Sequence, residues 1–348
     1  MKIADFEIGK EKTFIVAELS ANHNGSLDLA VKTIEAAARA GADAVKLQTY
    51  RADTITLNSD NENFIIKGGS LWDGLTYYQL YDKAYTPWQW HKILKETADK
   101  LGLILFSSPF DKEAVDFLEE LNMPAYKIAS FEINDLPLIE YTAKKNKPVI
   151  ISTGVADYQE IKDAVDTCRN AGNNDIILLK CTSSYPAPIE EANLLMIKKI
   201  SEDFNCITGL SDHTLSSITA VTSVALGAKV IEKHFILDKS INSPDAAFSL
   251  DEKEFKSLVD DIRTVEKSLG HIDYSISPAG QKNRHFMRSL YVIKDMKKGE
   301  KFTSENIGSY RPNLGISPKY YNEILGRKAV KDIKANTPLK KELIDEGE

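Results

Sequence analysis

Between residue 13 and about residue 270 this chain repeats one unit, a short aliphatic or β-branched run, a polar tip and an amphipathic helix-like stretch. The runs read TFIVAE, DAVKLQ, LILFSS, AYKIAS, PVIIST, DIILLKCTS, NCITGLSDH and KVIEKHF. Stretches such as LDLAVKTIEAAARAG, DKEAVDFLEELN and DYQEIKDAVDTCRNAG lie between them. The first and last of these close on Gly41 and Gly172, as helices often do. Apolar runs alternating with helices imply βα units on a parallel sheet. Eight such units in roughly 255 residues match the size of a (β/α)8 TIM barrel. A doubly wound open sheet is the alternative, but it usually has fewer strands and a glycine-rich phosphate turn, and no such turn is visible.

With 348 residues, one large domain plus a small one is the natural division. The net charge is −7 and Lys and Arg are scattered, which argues against a nucleic-acid surface or an anionic membrane partner. Cys168, Cys181 and Cys206 match no zinc or redox spacing, so a reduced, cytoplasmic chain is the simplest reading. The opening MKIADFEIGKEKTF carries no apolar signal region, and no apolar stretch approaches the ~18 residues of a membrane span.

The texture changes after Gly270. Residues 1–270 are read as the barrel, 271–286 (HIDYSISPAGQKNRHF) as a polar linker, and 287–348 as a small β-rich domain. That last part contains an internal repeat: YVIKDMKKGEKFTSENI, from Tyr291, lies over KAVKDIKANTPLKKELI, from Lys328. Two related hairpins with a pseudo-dyad are expected, in a unit small enough to lean on a partner surface. Inside the barrel one connection is far too long: about 40 residues separate KLQTY from the helix expected near Trp88. It carries Phe64, Trp72, Tyr77, Tyr78, Tyr81, Tyr85, Trp88 and Trp90, which argues against disorder. Following the second strand, it belongs on the functional face as a packed subdomain or a binding loop.

In such a barrel the C-terminal strand ends form that face. In order the tips are Glu18; Lys46 and Gln48; Ser107 and Ser108; Lys127 and Ser130; Ser152 and Thr153; Lys180, Thr182 and Ser183; Ser211, Asp212 and His213; Glu232 and His234. Lysines with short hydroxyls suit a phosphate or carboxylate. His213 and His234 end adjacent strands about 4.8 Å apart, so both imidazoles can reach one ion of Mn, Fe, Co or Zn type. His91 and His271 read as structural, and His23 has no assigned place. The residues point to an anion-binding barrel with a metal as Lewis acid, acting on a phosphorylated small molecule.

The segments AELSANHNG, VKLQTY, SSPFD, YKIAS, PVIISTG, GLSDHT and EKHF, in this order, resemble the sialic acid synthase family. Residues from about Met287 on resemble its C-terminal antifreeze-like (SAF) domain. LWDG followed by YTPWQWH resembles the branch that makes pseudaminic acid rather than the N-acetylneuraminate branch. The resemblance implies a carbon–carbon bond-forming transferase. It would condense phosphoenolpyruvate with an N-acylated amino sugar, release phosphate by C–O cleavage, and need a divalent cation (Mn2+, Mg2+ or Co2+). For this branch the sugar would be 2,4-diacetamido-2,4,6-trideoxy-L-altrose; N-acetylmannosamine and the trideoxy-manno sugar of legionaminic acid are the alternatives. It further implies that Lys46, Ser108, Lys127, Ser130, Ser183 and Ser211 hold phosphoenolpyruvate, that His213 and His234 bind the metal, and that Glu232 supports a metal-bound water. Glu18 and Asp245 would act on the sugar, Glu18 also in proton transfer, with Gln48 and Tyr185 lining the pocket. A domain-swapped homodimer would bring Arg311 of YRPNLGI, with Phe286 beside it, to the sugar's amide. The neuraminate branch usually has an asparagine where this chain has Ser183. Two rival classes carry less: an ice-binding surface, which the Lys- and Glu-rich C-terminal segment contradicts, and a metal hydrolase, in which the lysines have no task.

Overall fold

The computed structural model describes residues 1–10, 12–69 and 71–345, and they divide into two compact units, the first ending at Gly270 and the second beginning at His271. In the first unit eight parallel strands close into a barrel: β1 Phe14–Glu18, β2 Ala44–Thr49, β3 Ile104–Pro109, β4 Tyr126–Ile128, β5 Val149–Ser152, β6 Ile176–Cys181, β7 Ile207–Asp212 and β8 Val230–His234. β8 pairs with β1, His234 opposite Glu18, to complete the circle. The helices that follow are α1 Leu27–Ala40, α2 His91–Lys100, α3 Lys112–Glu120, α4 Leu136–Ala143, α5 Tyr158–Asn170, α6 Met196–Phe204, α7 Ile218–Ala225 and α8 Glu252–Leu269. The open doubly wound sheet is therefore ruled out.

Strand side chains alternate between faces. Ile15, Ala17, Val45, Leu47 and Leu105 face outward into one core with α1, α2 and α8. Phe14, Val16, Phe106, Ile150, Ile177, Leu179 and Val230 pack together with Ile3 and Ile8 of the N-terminal segment, filling the barrel's lower interior. Each such side chain contributes about 1.5–3 kcal/mol by leaving water. At Gly209 on β7 an added Cβ would lie 2.2 Å from the Val230 carbonyl oxygen, so no side chain fits there. The helices start on side-chain caps: Ser26 accepts from Leu29 N–H, and Asp157 with Glu160 and Asp251 with Glu254 form reciprocal boxes.

The long connection is ordered by two short helices, Ala52–Ile55 and Tyr77–Ala84, and a bridge between Ile65 and Thr76. Its end is anchored: Trp88 stacks on Phe117 at 4.8 Å, and its indole N–H donates to the Tyr50 carbonyl. His23 lies buried against Trp90 and meets Thr86 at 3.2 Å, which gives it a structural role in tying this connection to the turn after β1. His91 joins Thr49 and Ser107 in a buried hydroxyl–imidazole chain, 2.7 and 2.6 Å.

In the second unit β9 Ser289–Val292 pairs antiparallel with both β10 Ile307–Tyr310 and β11 Thr337–Pro338. The internal repeat is visible as a reciprocal pairing. Met296 bridges Ile333, Lys297 pairs with Asp332 at 2.8 Å, and Lys334 pairs with Asp295 at 2.7 Å. Asp332 and Asp295 also accept from the backbone N–H groups of Lys298 and Ala335. Two full hairpins do not form. Single bridges and turns replace them, because exposed charged residues flank each buried Met296 or Ile333 and leave too little apolar surface for longer strands. No described helix is long and apolar enough to cross a membrane.

Candidate active site

The alternation that buries Val16, Phe106 and Leu179 continues to the C-terminal strand ends, where the inward positions become polar: Glu18, Lys46, Gln48, Ser108, Lys127, Ser152, Cys181, Ser211, Glu232 and His234. All but the half-buried Gln48 are buried. The same phase turns Ser107, Lys180, Asp212 and Lys233 away. Lys180 bonds the Cys181 carbonyl and the Thr182 hydroxyl, so of the three lysines at the tips only Lys46 and Lys127 face the site.

These groups form a connected charge chain. Lys46 Nζ lies 2.7 Å from Glu232 Oε1 and 3.1 Å from Glu18 Oε2, Gln48 donates to the other Glu18 oxygen at 3.1 Å, and Ser211 donates to Glu232 at 3.3 Å. Burial pushes the Glu18 carboxyl up to about 7; Lys46 opposes the rise and the nearby Glu232 charge adds to it. Burial also works on Glu232, but Lys127 and Lys46 outweigh it and hold that carboxylate well below the usual range. Burial draws Lys127 down to about 8 against the attraction of Glu232. Its ammonium donates to the Ile128 carbonyl at 3.2 Å. The hydroxyls of Ser108 and Ser152 are buried without a partner. Two buried ammonium groups beside free hydroxyls make a seat for a small multivalent anion.

The second cluster is aromatic. The His213 and His234 rings stand 5.3 Å apart, with Tyr185 4.4 Å from His213 and Phe248 4.8 Å from His234. His213 Nδ1 meets the Thr182 carbonyl at 3.0 Å, which orients its ring. His234 Nδ1 is buried without a hydrogen bond, 4.0 Å from Asp245 Oδ2, and burial holds this imidazole neutral. Asp245 accepts from Ala21 N–H, and its loop is held by Asn22, which bonds Ser243, Ser249 and the Phe235 carbonyl. Among the described residues no three His, Cys, Asp or Glu side chains come close enough to hold a metal ion. Glu232 is committed to Lys46 and Ser211. The donor set therefore fits an ion carried by the two imidazoles, His234 with an orphaned nitrogen and His213 oriented by the Thr182 carbonyl, with the remaining positions left to substrate and water.

Ser130 and Ser183 converge on Gly154: its N–H meets Ser130 Oγ at 3.2 Å, and an added Cβ would lie 2.1 Å from Ser183 Oγ. A 170 Å3 cavity beside the imidazoles is lined by Gln48, Tyr185, His234 and Asp245, and by Trp72, Leu80 and Tyr81 of the long connection. Tyr50, Phe131, Glu132 and Phe248 line it too and were not among the sequence candidates. Glu132 has a buried, unpartnered Oε2, and burial raises its carboxyl to about 7 against the pull of Lys127. Only its place two residues after Ser130 could have flagged it. Trp72, Leu80 and Pro244 are shared with an outer cavity of 650 Å3. Phe286 and Arg311 belong to the second unit, where both are exposed. The turn after Arg311 is fixed to β9 by Ser289 and Tyr291, whose hydroxyls donate to the Pro312 carbonyl.

A closed (β/α)8 barrel with an acid–lysine chain and paired imidazoles at its C-terminal mouth, followed by a SAF domain, defines a class of synthase-type barrel proteins. Residues 33–274 match the NeuB family and residues 287–345 the SAF domain. The chain belongs to the NeuB family. It is 52% identical over 340 residues to a pseudaminic acid synthase of Campylobacter jejuni, covering 98% of each chain. A pseudaminic acid synthase of Helicobacter pylori is 54% identical over 326 residues, covering 93% of this chain and 96% of that one. The crystal structure of a spore coat polysaccharide biosynthesis protein from Bacillus subtilis superposes with a TM-score of 0.68 at 33% identity, covering 100% of this chain and 99% of the other.

Proposed function

We propose that this chain is a pseudaminic acid synthase, condensing phosphoenolpyruvate with 2,4-diacetamido-2,4,6-trideoxy-L-altrose to give pseudaminic acid and inorganic phosphate. The observation that carries the reading is the convergence of Lys46 and Lys127 with unpartnered serine hydroxyls in the same barrel mouth as the two imidazoles. The identity to two pseudaminic acid synthases supports the choice of sugar.

Lys46, Lys127, Ser108, Ser130, Ser183 and Ser211 would hold the phosphate and carboxylate of phosphoenolpyruvate. Its C3 then forms a bond to the aldehyde carbon of the open-chain sugar, and water adds at C2. The tetrahedral centre collapses to the ketone as the C–O bond to phosphate breaks. Glu18, poised near neutral pH, is suited to give a proton to the new alkoxide or take one from the attacking water. Asp245, Gln48 and Tyr185 would hold the sugar chain, with Trp72 and Tyr81 against its methyl groups. A divalent cation held by His213 and His234 would supply Lewis-acid polarisation of the aldehyde. Mn2+, Mg2+ and Co2+ are the candidates; Glu232 reaches that ion only indirectly.

The proposal extends to a cytoplasmic homodimer in which the partner's C-terminal domain completes the site. Two observations support this. The three cysteines are free and buried, which fits a reducing compartment. Loops after four successive strands expose apolar side chains, Phe131, Val155, Leu195 and Leu215, suited to a covering surface.

The deciding experiment is phosphate release from phosphoenolpyruvate plus Mn2+ with three sugars in parallel, each with and without EDTA: the altro sugar, its manno counterpart and N-acetylmannosamine. EDTA-sensitive release with the altro sugar alone is expected. Release with another sugar overturns the substrate, and silence with all three in a folded protein overturns the reaction.

A further inference from the structure

We infer that Lys233 and Asp212 are positioning residues that set the spacing of the His213–His234 pair from behind and thereby its affinity for the divalent ion; this rests on the metal reading above. Neither side chain has a part in the proposed reaction. Lys233 lies between Glu232 and His234, so strand alternation turns it out of the barrel, where it is 1% exposed. The register of β7 and β8 sets it beside Asp212, and Nζ lies 2.7 Å from Asp212 Oδ2. The same ammonium donates to the Thr214 carbonyl at 2.5 Å and the Ser216 carbonyl at 3.3 Å. Asp212 in turn accepts from Thr214 N–H at 2.9 Å and from the Thr219 hydroxyl on α7 at 2.8 Å.

His213 is the residue between Asp212 and Thr214, and His234 is the residue after Lys233. One ammonium thus ties the chain on both sides of the first imidazole to the strand that carries the second. The Thr182 carbonyl fixes only the rotation of the His213 ring. Cys181 Sγ at 3.8 Å and the Tyr185 ring at 4.4 Å flank it, and the backbone that carries it is held by this cluster. A buried ion pair gains little over an apolar pair of the same size, because desolvating two charges cancels most of their attraction. What the pair adds is direction: three oxygens fixed about one nitrogen, where an apolar contact would let the loop slide.

The test is Mn2+ binding to the full chain, followed by calorimetry and by the electron paramagnetic resonance signal of free Mn2+, with His213→Ala and His234→Ala as reference. Wild type should bind one Mn2+ that both histidine variants lose. The double variant Lys233→Met/Asp212→Asn removes both charges while leaving one acceptor oxygen, for Thr214 N–H, and an amide N–H2 facing the Thr219 hydroxyl. It should bind Mn2+ at least about tenfold more weakly, the range seen when groups behind metal ligands are removed. Its affinity for phosphoenolpyruvate, measured without metal, should stay within about twofold, a split that general unfolding would not produce. Thr219→Val deletes a single hydroxyl and covers the case in which the double variant fails to fold; it should weaken Mn2+ about threefold. A folded variant that binds Mn2+ like wild type overturns the positioning role and leaves the metal reading intact. Wild type that binds no Mn2+, or binds it regardless of the histidines, overturns both.

Discussion

Glu18 and Glu232 share one lysine. Lys46 Nζ stands 3.1 Å from the first carboxylate and 2.7 Å from the second, with all three side chains buried. The two acids respond in opposite ways. Burial lifts Glu18 to about 7, while the charges of Lys127 and Lys46 keep Glu232 ionised. Environments that push two carboxyl groups apart give a site one proton carrier and one fixed anion.

Replacing Lys46 by Met should therefore do more than remove a substrate contact. It leaves two buried carboxylates without their common cation, a change that costs about 3–5 kcal/mol when one partner of a buried pair is deleted. The loss should be larger at pH 8 than at pH 5, where Glu18 can take up a proton. Urea midpoints at the two pH values measure it, and an unchanged midpoint at pH 8 would show that the chain of charges is not holding the barrel mouth.

Glu132 gives a pH effect of defined sign. Its folded-state carboxyl is raised by burial to about 7, so folding favours its protonated form. Below about pH 4.5 both states carry the proton and nothing changes. Between there and about pH 7 only the unfolded chain releases it, and stability falls as pH rises. Glu132→Gln should remove this loss, stabilising the protein above pH 7 by on the order of 1–3 kcal/mol and not at pH 4. Melting curves at pH 4, 6 and 8 check it; an equal shift at all three would mean that the carboxyl does not titrate as described.

The barrel was legible because eight apolar runs separated by helical patterns admit few other closures. Which residue of each tip faces the site was not legible, because neighbouring polar residues share most tips and strand phase becomes fixed only by register. Ser107 and Ser108 look alike in sequence, yet one joins His91 and Thr49 while the other opens into the mouth. Lys180 was lost for the same reason. Glu132, Phe131 and Tyr50 lie beyond strand ends, where no period marks them. The C-terminal repeat could be read from its Lys-Asp spacing, but its strand content could not, since isolated bridges leave no alternating pattern.

In that repeat, buried and exposed positions should separate cleanly. Met296 and Ile333 are 2% and 4% exposed and bridge each other. Truncating either to Ala should cost about 2–5 kcal/mol. Lys297→Ala and Lys334→Ala remove only solvent-exposed ion pairs and should leave the urea midpoint in place. A lysine variant as damaging as Met296→Ala would mean that the reciprocal pairs, rather than the core, hold the unit together.

Gly154 supplies the sharpest geometric test of the anion seat. Its backbone angles do not demand glycine, so the reason for a missing side chain must lie in space. An alanine methyl would lie 2.1 Å from Ser183 Oγ, 2.9 Å from Ser130 Oγ and 3.1 Å from Cys181 Sγ. Something must shift, and the nearest movable atoms are the two hydroxyls assigned to phosphoenolpyruvate. Gly154→Ala should raise the KM for phosphoenolpyruvate at least about tenfold, the loss of one or more hydrogen bonds to a charged group. The KM for the sugar should change little. Adding Ser183→Ala to Gly154→Ala removes the closest clash and leaves the one with Ser130, so the pair should lose less than the two single losses combined. Additive losses, or an equal rise in both KM values, would place the damage in general packing and remove Ser130 and Ser183 from the seat.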